Sequence, residues 1–434
     1  MITLICLLLG FAILPLAGYT SYFNLLVFFV IALVSAGYIF DVCRMKRLKV
    51  VRNPLIIGYV VRLLFLLYDV YSGDPFHLPL VGGPMTEDPM RFYNAASALA
   101  LGQKSTYGGT FSHLFGFIFK VTGPSRLWCE FIVMLFSAFT LLIIAQIVLE
   151  LDVSDRDRKM SVYFACLMPN YIFLSVIFRR ETIITLLVAL SLLYFIHWIK
   201  KSKNETAFIL AMVFGLLSSL FHGATGLIVV FYLAVHIFYS PGEMRFRLSV
   251  RNVVLAIIFG IVFAVVYARY GTIFFSKLDR FTGSIESLSS VRDAGGSSYA
   301  RYVGNSNSIL NILIYSIPRY VYFMYSPFPW DWRSVSDIIA FLLSSVPYLI
   351  ILLRAVRSIR RLPKDNERRV LLMILVFVVV CMTFVFAWGV TNTGTATRHR
   401  DKFIAFYAVM YALSREERIR IKKHSKTHAM IYEQ

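Results

Sequence analysis

Apolar residues in this chain neither alternate with polar ones nor recur every third or fourth position. They run on for lengths that suit lipid rather than water. About twelve runs approach the roughly 20 residues that a helix needs to cross a bilayer. They lie near 2–18, 21–40, 54–72, 127–149, 161–177, 182–198, 206–221, 224–239, 253–271, 335–353, 370–388 and 402–413. The pattern predicts an all-α, polytopic membrane protein of about twelve spans, with surface helices beside the membrane on the outer face near 90–102 and 307–326. It reads as a single transmembrane domain over 1–434: an N-terminal helical hairpin (1–53), a core (54–240) and C-terminal helices with a long loop at 272–334. No internal repeat is evident. The first run has no basic residue before its apolar stretch, and a second run follows at once. A hairpin turning at Gly18-Tyr19-Thr20 therefore fits better than a signal peptide.

The formal net charge of +20 invites a nucleic-acid reading, and its distribution argues against one. Of 44 Lys and Arg, 27 lie in the 71 residues of segments 41–52, 151–160, 199–204, 240–252, 353–369 and 414–426. Only 15 lie in the 135 residues of segments 73–126, 178–181, 272–334 and 389–402. Dense basic segments mark the cytoplasmic side of a membrane protein. Alternation then puts both termini inside and the four motif-bearing segments outside, in an inner or plasma membrane. Five cysteines, none in a spaced pair, predict neither a disulfide framework nor a zinc site.

Ionisable groups are expensive in lipid, so their placement is informative. Arg62 and Asp69 stand seven residues apart, two helical turns, and share a face that should turn towards protein or water. Asp74, Glu87 and Asp88 follow in the first outer loop. Phe92-Tyr93-Asn94-Ala95-Ala96 then begins a short amphipathic helix ending at Gly102. One acidic residue would suffice to cap that helix; here two sit together. Arg179-Arg180-Glu181 occupies an outer turn, where the arginines either snorkel to head groups or bind an anion. His222-Gly223 makes another outer turn. The loop 272–334 combines a Gly/Ser-rich half with an aromatic half carrying Arg319, suited to a lid or to rest at the interface. Last comes Arg398-His399-Arg400-Asp401-Lys402 after a Thr/Asn/Gly-rich stretch; Arg matches phosphate bidentately. No P-loop, dinucleotide fingerprint or HExxH motif is present, so energy for chemistry must arrive with the substrate.

A carboxylate pair and several Arg and His groups facing one side suit glycosyl transfer from a polyprenyl-phosphate sugar. The leaving phosphate needs cations and the attacking hydroxyl needs a base. The residues also resemble the GT-C superfamily of integral-membrane glycosyltransferases, which includes protein mannosyltransferases and aminoarabinose transferases. The matching residues are Arg62, Glu87-Asp88, Tyr93, Ala95-Ala96 and Gly102, with Pro169-Asn170 and Arg179-Arg180-Glu181 as a second element. The likeness covers roughly 55–225. It departs in one way: the acidic helix is the third here, so an extra N-terminal hairpin must be assumed. No C-terminal soluble domain is expected after the membrane part.

The expected roles are Asp88 as general base, with Glu87 supporting it or the two holding a divalent metal (Mg or Mn). Arg398, Arg400 and one of Arg179 or Arg180 are expected on the donor phosphate, with His222 and His399 as further ligands. Asp88, Arg62, Arg180 and Arg398 are expected to line one outward-facing cavity. Implied partners are the polyprenyl-linked sugar, a glycan, lipid or protein acceptor, and membrane lipid, with no nucleic acid. The late loop and Arg398-His399-Arg400 also resemble Wzy-type polysaccharide polymerases. A transporter or flippase for a lipid-linked saccharide is the non-enzyme alternative, and it would place its charges at the bilayer midplane.

Overall fold

The computed structural model describes residues 1–17, 22–71, 87–200, 204–243, 245–274, 299, 309–333, 335–364, 366–390 and 392–415. The hairpin turn at Gly18-Tyr19-Thr20, most of the first outer loop with Asp74, and the Gly/Ser-rich half of loop 272–334 lie outside these residues. Among the described residues the chain is helical almost throughout. The strand pairing they contain is a two-residue ribbon, β1 (Tyr239–Ser240) against β2 (Arg245–Phe246).

By length and composition, six helices among the described residues can cross a membrane: Phe23–Arg44, Arg52–Tyr71, Arg126–Glu150, Glu181–Lys200, Asp337–Arg361 and Glu367–Trp388. Several other apolar runs form shorter helices. The run at 161–177 is interrupted: one helix ends at Leu167, Met168 is extended, and Pro169 starts a six-residue helix. Proline lacks the N–H that would continue the first helix and restricts its predecessor to extended backbone. The runs at 206–221 and 402–413 give helices of 15 and 12 residues.

The chain divides into two compact units, Met1–Gln146 with Val162–Leu186, and Ile147–Ser161 with Leu187–Gln434. In the first unit, α1 (Ile2–Ile13) packs on α2 (Phe23–Arg44) as the expected hairpin. Asp41 Oδ2 near the end of α2 accepts the backbone N–H and the hydroxyl of Thr3. The third helix, α3 (Arg52–Tyr71), follows α2, with Tyr38 and Tyr59 stacked at 4.3 Å. Two non-spanning helices come next, α4 (Glu87–Ala100) and α5 (Thr110–Thr122), and then the long α6 (Arg126–Glu150). The unit is completed by the end of α7 (Asp155–Leu167), by α8 (Pro169–Leu174), and by the start of α9 (Glu181–Lys200).

Helices α4 and α5 pack as a pair because Phe92, Ala95 and Ala96 fall on one side of α4, three to four residues apart, and are buried. Phe111, Phe115 and Phe119 of α5 answer them, and Phe178 closes the aromatic cluster. Each well-placed ring pair adds about 0.5–1.5 kcal/mol beyond area burial. The helix α4 ends at Ala100, two residues short of the expected Gly102, which lies in the turn that follows with a φ of +78° that suits glycine. The α4–α5 turn contains Gly108 at φ +82°, where a Cβ would sit 2.6 Å from the Phe92 ring.

The second unit contains α10 (Glu205–Ser219), α11 (Ile228–Phe238), α12 (Val250–Phe274) and α13 (Ile309–Tyr325). After these come α14 (Val335–Ala340), a π-helical turn at Phe341–Ser345, and α15 (Val346–Arg361). The last helices are α16 (Glu367–Trp388), α17 (Thr393–Arg400) and α18 (Ile404–Arg415). Here α15, α16 and α18 pack together, and α13 lies against α16 and α17. The aromatic half of the long loop is thus a helix, α13, as the sequence suggests for 307–326.

Gly108→Ala should strain the α4–α5 turn on both counts, lost φ freedom and ring clash. The expected loss is about 2 kcal/mol or more, read as a lower melting temperature of the detergent-solubilised protein. An unchanged melting curve would mean that the turn does not hold α4 on α5.

Candidate functional site

Asp88 lies in the first turn of α4, where the helix dipole favours a carboxylate. It accepts a hydrogen bond of 2.9 Å from the Tyr107 hydroxyl in the α4–α5 turn. Burial, then the hydrogen bond and charge of Asp88, hold that hydroxyl above the ordinary phenol range. Arg91 lies 5.8 Å from the Tyr107 ring centroid. Glu87 opens α4, and its side chain lies outside the described residues. Among the described residues, no group of three His, Cys, Asp or Glu side chains is placed to hold a metal ion.

The Arg179–Arg180 pair is split by burial. Arg179 is buried; Arg180 is half-buried, with its guanidinium 6.0 Å from the Phe92 ring centroid. Arg180 therefore lies against the helix that carries Asp88, although the two are 92 positions apart.

Arg62 has a different position from the one expected. It and Asp69 are both buried, as their shared face required. Arg62 is fully enclosed: it donates to Ser137 Oγ (3.0 Å) and to the carbonyls of Gly58 (3.0 Å) and Cys166 (2.8 Å). Gly58 permits that approach, since a Cβ there would sit 2.8 Å from the Cys166 Cβ. Arg62 thus ties α3 to α6 and α7, and it does not line the cleft described next.

Asp69 pairs with a residue that the sequence reading left aside. Arg126, the first residue of α6, reaches Asp69 Oδ2 at 2.6 Å and the Asp69 carbonyl at 3.0 Å. It also reaches Glu130 Oε1 at 2.9 Å, one turn along its own helix. The two carboxylates are almost fully enclosed, with side chains 1% and 3% exposed, while Arg126 is 28% exposed. Glu130 Oε2 is buried with no hydrogen-bond partner among the described residues. Arg126 and Glu130 line a cleft of about 280 Å³ with Pro89, Tyr93 and Asn94 of α4 and Phe178. The cleft thus begins one residue after Asp88. The available signal was Glu130 itself, a carboxylate inside the apolar run 127–149, four residues from an arginine.

In the second unit the expected anion cluster separates. Arg400 is fully buried. It donates to the carbonyls of Met324 and Ser326 and to the hydroxyls of Ser345 and Thr397, so it joins the end of α13, the π-helical turn before α15, and α17 rather than facing an anion. Arg398 is half-buried and donates to Thr395 Oγ1 of its own helix at 3.3 Å. His399 meets His222, with ring centroids 4.9 Å apart, and both rings lie against Phe386. Lys402 Nζ sits 2.8 Å from His399 Nδ1. A charged lysine there makes Nδ1 the acceptor and puts the imidazole proton on Nε2. His222 and His399, 177 positions apart, thus sit in one buried cluster with Lys402. Of the four residues expected in one chamber, Asp88, Arg62 and Arg180 belong to the first unit and Arg398 to the second.

No protein-family model matches this chain, and neither a curated protein nor a solved structure matches it.

Arg126→Ala would leave Asp69 and Glu130 enclosed without their cation. The expected loss is about 3–5 kcal/mol, read by thermal unfolding in detergent. Adding Asp69→Asn and Glu130→Gln to that variant should recover most of it. Failure of the triple variant to recover would mean that Arg126 acts through packing alone.

Proposed function

We propose that this protein is a multi-pass membrane glycosyltransferase. It moves a sugar from a polyprenyl-phosphate or polyprenyl-pyrophosphate carrier to an acceptor hydroxyl on the extracytoplasmic face. The observation that carries the reading is the carboxylate of Asp88 at the start of α4, beside a cleft lined by Arg126, Glu130 and the rings of Tyr93 and Phe178. Arg180 against the same helix supports it, as a half-buried cation available to a leaving phosphate.

In the proposed reaction, the acceptor oxygen attacks the anomeric carbon and forms the new C–O bond. The bond from that carbon to the carrier phosphate breaks, and its electron pair leaves with the phosphate. The hydroxyl proton passes to Asp88. Tyr107 holds the Asp88 carboxylate in place through its hydroxyl. His222, His399 and Lys402 are further candidates for anion binding, with Arg398 at their helix.

The position of the buried acids favours transfer over transport. Asp69 is two residues from the end of α3, and Arg126 and Glu130 lie in the first turns of α6. An alternating-access carrier places its site near mid-span; this cluster sits at helix ends.

Asp88→Asn should lower transfer by about 10²–10⁴-fold while the protein still inserts. The assay supplies purified protein with a panel of polyprenyl-linked sugars. Near-normal transfer by the variant would remove Asp88 from the mechanism. A ladder of repeat units instead of a single addition would assign the chain to the polymerases.

The proposed topology has both termini cytoplasmic. Reporter fusions after residues 155, 245 and 360 should all give cytoplasmic signals. One extracytoplasmic signal would overturn the shared outer face.

A further inference from the structure

We infer that the basic end of α15 is a binding surface for anionic phospholipid, with a phosphodiester head group on its arginines and acyl chains on the apolar stripe of the same helix. The surface does not depend on the reaction the protein carries out. Arg354, Arg357, Arg360 and Arg361 lie in the last two turns of α15, and no Asp or Glu occurs between Val346 and Lys364. At about 100° per residue, the four arginines fall within an arc of about 120°. The opposite arc holds Tyr348, Ile351, Ala355 and Ser358, all buried against the protein. Ser358 donates to the Ser414 carbonyl, and Arg369 donates to the Ile359 carbonyl, so this end of the helix is held in place from its inner side.

Two observations select the ligand. First, these guanidiniums are free. Among the described residues none of the four makes an ion pair, whereas Arg158, Arg245 and Arg368 pair with Asp155, Glu243 and Asp152. The helix dipole accounts for cations in a last turn only, and Arg354 and Arg357 lie before it. Second, the arginine arc continues an apolar one. Ile350 and Leu353 are exposed, and they fall within the same arc of about 120° as the arginines. The span that ends at Arg361 begins at Asp337. At about 1.5 Å per residue, Arg354 to Arg361 lie about 25–36 Å along it, where a hydrocarbon core of about 30 Å gives way to head groups. A ligand on this face meets hydrocarbon first and then cations, which is the order of groups in a phospholipid. Arginine takes a phosphodiester through two parallel N–H donors. A free phosphate or a water-borne polyanion offers nothing to the apolar half of the arc. The proposed topology puts this end in the cytoplasmic leaflet, where anionic lipid concentrates.

The test is native mass spectrometry of the full chain in detergent, supplied with equal amounts of phosphatidylglycerol and phosphatidylcholine bearing the same acyl chains. Phosphatidylglycerol should bind in preference by about tenfold or more. Replacing Arg357, Arg360 and Arg361 together by Gln should bring the ratio close to one. Replacing the ion-paired Arg245 and Arg247 by Gln should leave it unchanged. Arg357→Gln and Arg360→Gln as single variants should each lower the ratio severalfold, and they decide the matter should the triple variant fail to fold. Inorganic phosphate, glycerophosphoglycerol (the head group without its chains) and polyglutamate should not displace the lipid. The inference is overturned if the wild type shows no preference, if the α15 variants keep it, or if the Arg245 and Arg247 control loses as much. Displacement by inorganic phosphate or the free head group would assign the arginines to a soluble phosphate, and displacement by polyglutamate to an acidic protein; either overturns the lipid surface.

Discussion

The arrangement of the first unit depends on one constraint: a charge enclosed among apolar helices must have a partner. Asp69 and Glu130 are almost entirely withdrawn from solvent, and Arg126 stands between them. Removing charges from water costs several kcal/mol per ion, and only close pairing offsets it. That requirement joins the end of α3 to the start of α6 across 57 positions. Those two helices flank the α4–α5 pair in the chain, so the pairing also sets the floor on which α4 presents Asp88 and the cleft.

The same constraint sorts the arginines. A guanidinium has five donors in a fixed fork, and a buried one must find acceptors. Arg62 takes two carbonyls and a hydroxyl; Arg400 takes two carbonyls and two hydroxyls. Both act as ties between helices. Arg180 and Arg398 are only half-buried. Burial thus divides one residue type into ties and candidate ligands, in a way that its number of occurrences does not reveal.

The two units carry different chemistry. The first has a cleft lined by Arg126, Glu130 and the rings of Tyr93 and Phe178; the second has a buried cluster of His222, His399 and Lys402 against Phe386.

Sequence alone determined what is local. Apolar run length marked the long helices, the small and aromatic spacing after Asp88 marked α4, and Gly102 marked its end to within two residues, because each depends on neighbours within a few positions. The break at Met168–Pro169 was legible in the same way, through proline, but apolarity alone passed over it. Tertiary structure decided the pairings. That Asp69 meets Arg126 rather than Arg62, that His222 meets His399, and that Arg400 faces carbonyls all follow from which helices lie side by side. Nothing in the spacing of those residues encodes that neighbourhood. A charged side chain in an apolar run shows that a partner must exist, and only the packing of helices determines which residue it is.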